Sequence, residues 1–252
     1  MRVCIYTAIY GGYDDLKPAA TQSIPTDFFC FTDSPSIHPK SPWRIVRNLD
    51  RPDLSARLRA KWFKMHPHLL FPNGAPRRPW WAILRPNHHY DVTIWIDGSL
   101  EITSPNFAAD MLAQLGPAGL SAFPHPARDC IYEELEKSLR WAKYAGQALS
   151  QQVESYRQQG YPPHHGLAAA GVLVRNPKSG TLAALDEARW QENLRWSPQD
   201  QLSLPVVWWR AGLRHNVIQG HLWQNPWFRH TPHPHEEGLI ATPAVSVSQI
   251  RS

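Results

Sequence analysis

Short β-branched and aromatic runs, each closed by glycine, proline or aspartate, alternate along this chain with stretches of helical period. That alternation predicts an α/β domain with a mostly parallel central sheet flanked by helices, because parallel strands need long crossovers between them. Residues 3–7 read as the first strand, closed by Tyr10-Gly11-Gly12-Tyr13-Asp14-Asp15. Residues 27–32, 43–46, 92–96, 120–123, 167–174 and 217–218 read as further strands. In such sheets ligands bind outside the carboxyl ends of the strands, which marks 7–13, 32–35 and 97–99 as the rim of one cleft.

Helices fill the gaps. From residue 53, Leu54, Leu58, Trp62 and Met65 keep helical spacing, with Pro52 at the first turn and Pro67 as the stop. Residues 107–115 make a short helix. Ile131, Leu135, Leu139, Ala142, Ala145, Leu149, Val153 and Tyr156 predict one long helix ended by Gly160. Residues 179–190 predict another, and 199–210 a last one that Pro205 should kink or split. Residues 71–90 read as irregular, and the polar, proline-broken stretch after Trp227 as an extended tail. The expected organisation is one domain over 1–230 and a tail over 231–252.

Composition narrows the function classes. A chain of 252 residues with 42% hydrophobic and 19% charged residues is globular, not disordered. Its 3 cysteines, at 4, 30 and 130, form neither a disulfide framework nor a zinc site, and point to a reduced, cytoplasmic setting. Met1-Arg2 leads directly into a strand, with no secretory h-region. The longest apolar run, 166–174, falls far short of the ~20 residues that cross a bilayer. Peripheral contact through exposed tryptophans stays open. The net charge of +5 is dispersed, without a basic block of the nucleic-acid type, and suits a phosphorylated small molecule equally well.

Trp95-Ile96-Asp97-Gly98-Ser99 is the sharpest local feature. It sets a carboxylate at the sheet rim, suited to Mg²⁺ or Mn²⁺ shared with substrate phosphates. Asp97 also fits a plain strand-ending turn. Arg57 and Lys61, four apart, share a helical face that could neutralise a diphosphate or simply face solvent. His125, Arg128 and Glu133 flank the start of the long helix, where they could grip an anion or sugar hydroxyls; Asp129 reads as that helix's cap. Ser197-Pro198-Gln199-Asp200-Gln201 reads first as a helix start. The adjacent pairs His88-His89 and His164-His165 are poorly spaced for a protein-only metal site, and His233-Pro234-His235 could bind metal adventitiously. No nucleophile elbow, Walker loop or dinucleotide fingerprint is present, which lowers hydrolase, NTPase and dehydrogenase readings. Tryptophan doublets at Trp80-Trp81 and Trp208-Trp209 serve cores more often than sugar stacking.

Seven segments in order carry a family resemblance: YTAIYGGYDDL (6–16), CFTD (30–33), RLRAKWFKMHPH (57–68), IWIDGS (94–99), HPARDCIYEE (125–134), GVLVRN (171–176) and SPQDQLS (197–203). From about residue 2 to 230 the chain resembles the glycosyltransferase-like family, formerly a domain of unknown function, whose plant members are linked to mucilage and cell-wall polysaccharides. The resemblance implies a single GT-A-type domain, distantly similar to glycogenin-like retaining transferases. It implies that Tyr6, Thr7, Ala8 and Tyr10 line the nucleotide site and that Asp33 approaches base or ribose. Arg59 and Lys61 would contact the donor. Asp97 and Ser99 stand at the metal-binding Asp-x-Asp, with His230 or His221 completing the metal shell. Asp200 and Gln201 would lie near the reacting sugar, and His125, Arg128 and Glu133 on the acceptor side.

Ser99 departs from the pattern, since the second acid is missing. Either Asp97 holds Mn²⁺ or Mg²⁺ with His230 and phosphate oxygens, or Arg59 and Lys61 stabilise the leaving diphosphate without a tightly bound metal. The expected function is transfer of a sugar from a nucleoside diphosphate donor to a saccharide hydroxyl. The rival is a non-catalytic, GT-A-shaped carbohydrate-binding or scaffold protein.

Overall fold

The structure, a computed structural model, describes residues 1–47, 51, 53–71 and 90–231. Strands β1 (Val3–Ile9), β2 (Thr26–Thr32), β3 (Arg44–Val46), β4 (Val92–Ile96), β6 (Leu120–Pro124), β7 (Ala168–Arg175) and β8 (Asn216–Val217) form one seven-stranded sheet. Its order is β3-β2-β1-β4-β7-β6-β8. β3, β2, β1 and β4 run parallel, β7 is antiparallel to both neighbours, and β8 is parallel to β6. The fold is therefore the expected mixed α/β architecture with a mostly parallel sheet. The register Ile9↔Thr32 and Tyr6↔Trp95 brings the carboxyl ends of β1, β2 and β4 to one edge.

Both faces of the sheet are covered, so its central strands are apolar throughout rather than alternating. Val3, Ile5 and Ile9 of β1 join Ile94 and Ile96 in a core with α3 (Phe107–Ala113). Cys4, Tyr6, Ala8 and Tyr10 face the other side, against α1 (Ala56–Met65), α6 (Gly180–Arg195) and α7 (Asp200–Arg210). Each fully buried Ile, Leu, Val or Phe contributes roughly 1.5–3 kcal/mol. Ser55 caps α1 by accepting the Leu58 N–H, and the helix ends at His66, where the following Pro67 disfavours helical backbone. The short α2 (Pro67–Leu70) follows, and Ser179 caps α6 from the Leu182 N–H.

Three expectations are corrected. The long helix is two, α4 (Ile131–Ser138) and α5 (Leu149–Gln158), separated by a 3-10 turn at Ala142–Tyr144 and by Gly146 at φ +73°. The apolar period survives the break because Ile131, Tyr144, Leu149, Val153 and Tyr156 all enter one cluster. Helix α7 runs unbroken through Pro205, whose missing N–H forfeits one bond while buried Leu202, Leu204, Val206 and Val207 hold the helix in place. After Trp227 the chain is not all tail: β9 (Phe228–His230) pairs antiparallel with β5 (Leu100–Ile102), an element too short to stand out in sequence. The Trp80-Trp81 and His88-His89 pairs, the 72–89 connection and the tail from 232 onward lie outside the described residues. Among the described residues no helix is long and apolar enough to cross a membrane.

Candidate active site

β4 delivers Asp97 to the sheet edge, where its Oδ1 accepts from the Trp95 indole Nε1 at 2.6 Å and from Lys64 Nζ at 3.2 Å. Lys64 Nζ also lies 2.7 Å from Asp200 Oδ2, and Lys61 Nζ lies 2.5 Å from the same oxygen. Lys61 and Lys64 are three apart on α1, hence on one face, and Asp200 is the first residue of α7. A negative charge in a helix's first turn complements the helix dipole. Side-chain exposure falls from 39% at Asp97 to 20% at Lys61 and 3% at both Lys64 and Asp200. Behind them Arg189 approaches Asp200 Oδ1 through Nη2 at 3.8 Å and pairs through Nη1 with Asp186, which also pairs with buried Arg175.

Burial alone would raise the Asp200 carboxyl, yet Lys61, Lys64 and Arg189 hold it well below the ordinary carboxylate range. Burial lowers Lys61 to about 8, against the pull of Asp200 and with help from the nearby Lys64 charge. Asp200 is thus a permanently charged anchor beneath the rim. With 2% exposure it meets its lysine partners rather than the open edge of the sheet.

The other expected residues divide. At the end of β2, Asp33 is exposed, accepts the Gly11 N–H at 3.1 Å and lies 3.6 Å from Arg59. Gly11 has φ +64°, and a Cβ there would meet the Ala56 Cβ at 2.7 Å, so only glycine fits. Tyr6, Thr7, Ala8 and Tyr10 are buried: Tyr6 packs edge-on to Trp95 and Phe71, and Tyr10 stacks on Phe63. Their side chains serve the core, because a strand covered on both faces turns neither set of side chains to solvent. Arg57 does not share a site with Lys61; it donates to the Lys143 carbonyl and lies over the Tyr144 ring.

Near α4, Arg128 Nε reaches Glu134 Oε2 at 2.7 Å, and His125 Nδ1 accepts the Ala127 and Arg128 N–H groups. Glu133 is exposed, whereas Glu134 is buried and also accepts from Gln199 and Ser138. Helix α4 begins after Cys130, so Asp129 is not its cap and instead bonds His164. Gln201 is half-buried. Lys64, Arg189 and Glu134 were not singled out in the sequence; the three-residue spacing from Lys61 could have revealed Lys64.

A tightly held Mn²⁺ or Mg²⁺ is a poor fit to these side chains. Asp97 Oδ1 is already engaged by an ammonium and an indole N–H, and Ser99 supplies no second acid and is buried. His230 sits opposite Leu100 in the β5–β9 ladder, with its ring 4.8 Å from Trp223. His221 Nδ1 accepts the Trp223 N–H. Among the described residues no three His, Cys, Asp or Glu side chains cluster as a metal shell.

The site thus joins Asp97 at the end of β4 to Lys64 of α1, and through Asp200 of α7 to Lys61. The TOD1/MUCI70 glycosyltransferase-like domain matches residues 40–230, well over half of the 252, and the chain belongs to that family. The match begins after the first two of the seven resembling segments. No curated protein matches the chain. Among solved structures, a similar chain is that of WbbM, a bifunctional glycosyltransferase in its apo form, 15% identical with a TM-score of 0.43. The likeness covers 82% of this chain, which spans 37% of that one.

Proposed function

We propose that the protein transfers a sugar from a nucleoside diphosphate donor to a saccharide hydroxyl. One observation carries the reading: in a chain of a glycosyltransferase-like family, Asp97 stands at the sheet edge that also bears the Asp33–Arg59 pair, and Lys64 and Asp200 link it to Lys61, which is 20% exposed. Cations at strand ends suit a pyrophosphate, and Asp33 suits the ribose or base hydrogen bonds of the nucleoside. In the reaction the bond from C1 to the diphosphate oxygen breaks and the acceptor oxygen bonds C1. The acceptor's proton leaves with the departing phosphate oxygen.

Stabilising the charge on that leaving group is the main catalytic burden. A lysine charge about 4 Å from a phosphate charge is worth about 4 kcal/mol at an effective dielectric of 20. Lys61, with Arg59 beside Asp33, is the catalytic cation of this scheme. Asp200 acts as a positioning residue through Lys61 and Lys64, and Gln201, next to it in α7, lies on the reacting-sugar side. His125 and Arg128, braced by Glu134, are the acceptor-side groups. Retention of configuration is carried over from the resemblance to glycogenin-like transferases and is the part of the proposal that an anomeric product analysis tests. Three free, buried cysteines agree with a reducing, cytoplasmic setting.

Incubation with a panel of UDP- and GDP-sugars and saccharide acceptors, following nucleoside diphosphate release, tests the reading. Turnover that Lys61→Met abolishes supports it, and turnover unchanged by that substitution removes the assigned role. The rival, a carbohydrate-binding scaffold, draws on Ser99; it predicts glycan binding in a calorimeter without nucleotide binding.

A further inference from the structure

We propose that Lys64 occupies the position on Asp97 that a divalent cation would hold, so that the site binds diphosphate without metal. The inference rests on the transferase reading above and goes beyond it by assigning a residue and a cofactor requirement.

Three observations support the assignment. Its ammonium lies 3.2 Å from Asp97 Oδ1, an oxygen that also accepts the Trp95 indole N–H at 2.6 Å. A Mg²⁺ or Mn²⁺ sharing that oxygen would compete with both donors, and bound anywhere on the carboxylate it would sit close to the ammonium charge. That charge is firmly held: Lys64 is 3% exposed, 2.7 Å from Asp200 Oδ2 and 5.5 Å from the centroid of the Trp95 ring. Finally, residue 99 is a buried serine, so no second carboxylate stands beside Asp97 to bind a cation with it.

The charges are consistent with an anion site. Lys61, Lys64, Arg175 and Arg189 stand against Asp97, Asp186 and Asp200 in one connected set of ion pairs. Four positive charges against three negative leave one positive in excess. Lys64 neutralises Asp97 from behind, so that carboxylate no longer repels a phosphate. Lys61, 20% exposed against 3% for Lys64, is the lysine of the set that a phosphate can reach.

Calorimetric titration of UDP and of GDP into the full chain, in EDTA and in Mn²⁺, tests this. The nucleotide that binds should do so with a Kd in EDTA within about threefold of that in Mn²⁺. Lys64→Met should weaken binding about tenfold or more in EDTA, and Mn²⁺ should recover severalfold of it through the vacated Asp97 oxygen. Wild-type binding that requires Mn²⁺ overturns the inference, as does a Lys64→Met loss of equal size in both buffers. Absence of binding by either nucleotide in either buffer removes the transferase reading itself. Should Lys64→Met not fold, Lys64→Arg keeps the charge and should keep EDTA-resistant binding, and the wild-type comparison decides independently.

Discussion

Lys64 Nζ lies 2.7 Å from Asp200 Oδ2, joining α1 to α7 with both side chains 3% exposed. A buried pair of this kind is costly to break, because the surviving partner keeps its charge without a counter-ion. Asp200 serves Lys61 and Arg189 as well. Asp200→Asn is therefore expected to lower the unfolding free energy by about 3–5 kcal/mol in urea denaturation. A variant with the wild-type midpoint would contradict the anchoring role.

The same carboxyl gives an acid limb with a definite sign. Its folded pKa is depressed below the unfolded value of about 3.9, so its contribution is complete above that pH and is lost as pH falls below it. Chemical denaturation between pH 5 and pH 2 should show Asp200→Asn losing less stability on acidification than wild type. Parallel curves would place the acid sensitivity elsewhere.

Lys61 predicts an alkaline limb in ligand binding. With its pKa lowered to about 8 by burial, it loses its charge as pH rises through that value, and nucleoside diphosphate affinity should fall there. Lys61→Arg stays charged and should flatten the decline. Equal declines in both proteins would show that another group governs the limb.

Much of the fold was legible, and most of the site was not. The strands over 3–7, 27–32 and 92–96 were readable because central strands covered on both faces are short apolar runs with turn residues behind them. Asp97 and Lys61 followed from that frame and from the family resemblance. The buried partners did not: Lys64 looks like an ordinary surface lysine until α7 comes to lie against α1, 136 residues away. Tyr6 failed in the opposite way, since strand position says nothing about whether a helix covers that face. The 131–156 period misled because two helices bury their stripes in one cluster, and Gly146 was the only local mark of the break.

Glu134 and Glu133 make a paired test of that region. Glu134 accepts from Arg128, Gln199 and Ser138, whereas its neighbour faces solvent. Glu134→Ala should cost on the order of 2 kcal/mol in unfolding free energy, and Glu133→Ala within about 0.5 kcal/mol of nothing. The reverse ranking would contradict the orientation of α4.

Gly11 tests the rim. Its φ of +64° and the 2.7 Å that would separate an alanine Cβ from the Ala56 Cβ make Gly11→Ala strained as well as crowded. A loss of about 1–3 kcal/mol is expected, read as a fall in Tm of about 2–4 °C per kcal/mol. An unchanged Tm would mean that the Gly11–Asp33 turn relaxes freely.

The most direct measurement is a crystal of the protein soaked with UDP or GDP. The account predicts diphosphate density within hydrogen-bonding reach of Lys61 Nζ, beside Asp97, with the nucleoside toward Asp33. Nucleotide bound at another edge of the sheet, with Lys61 still turned only to Asp200, would contradict it.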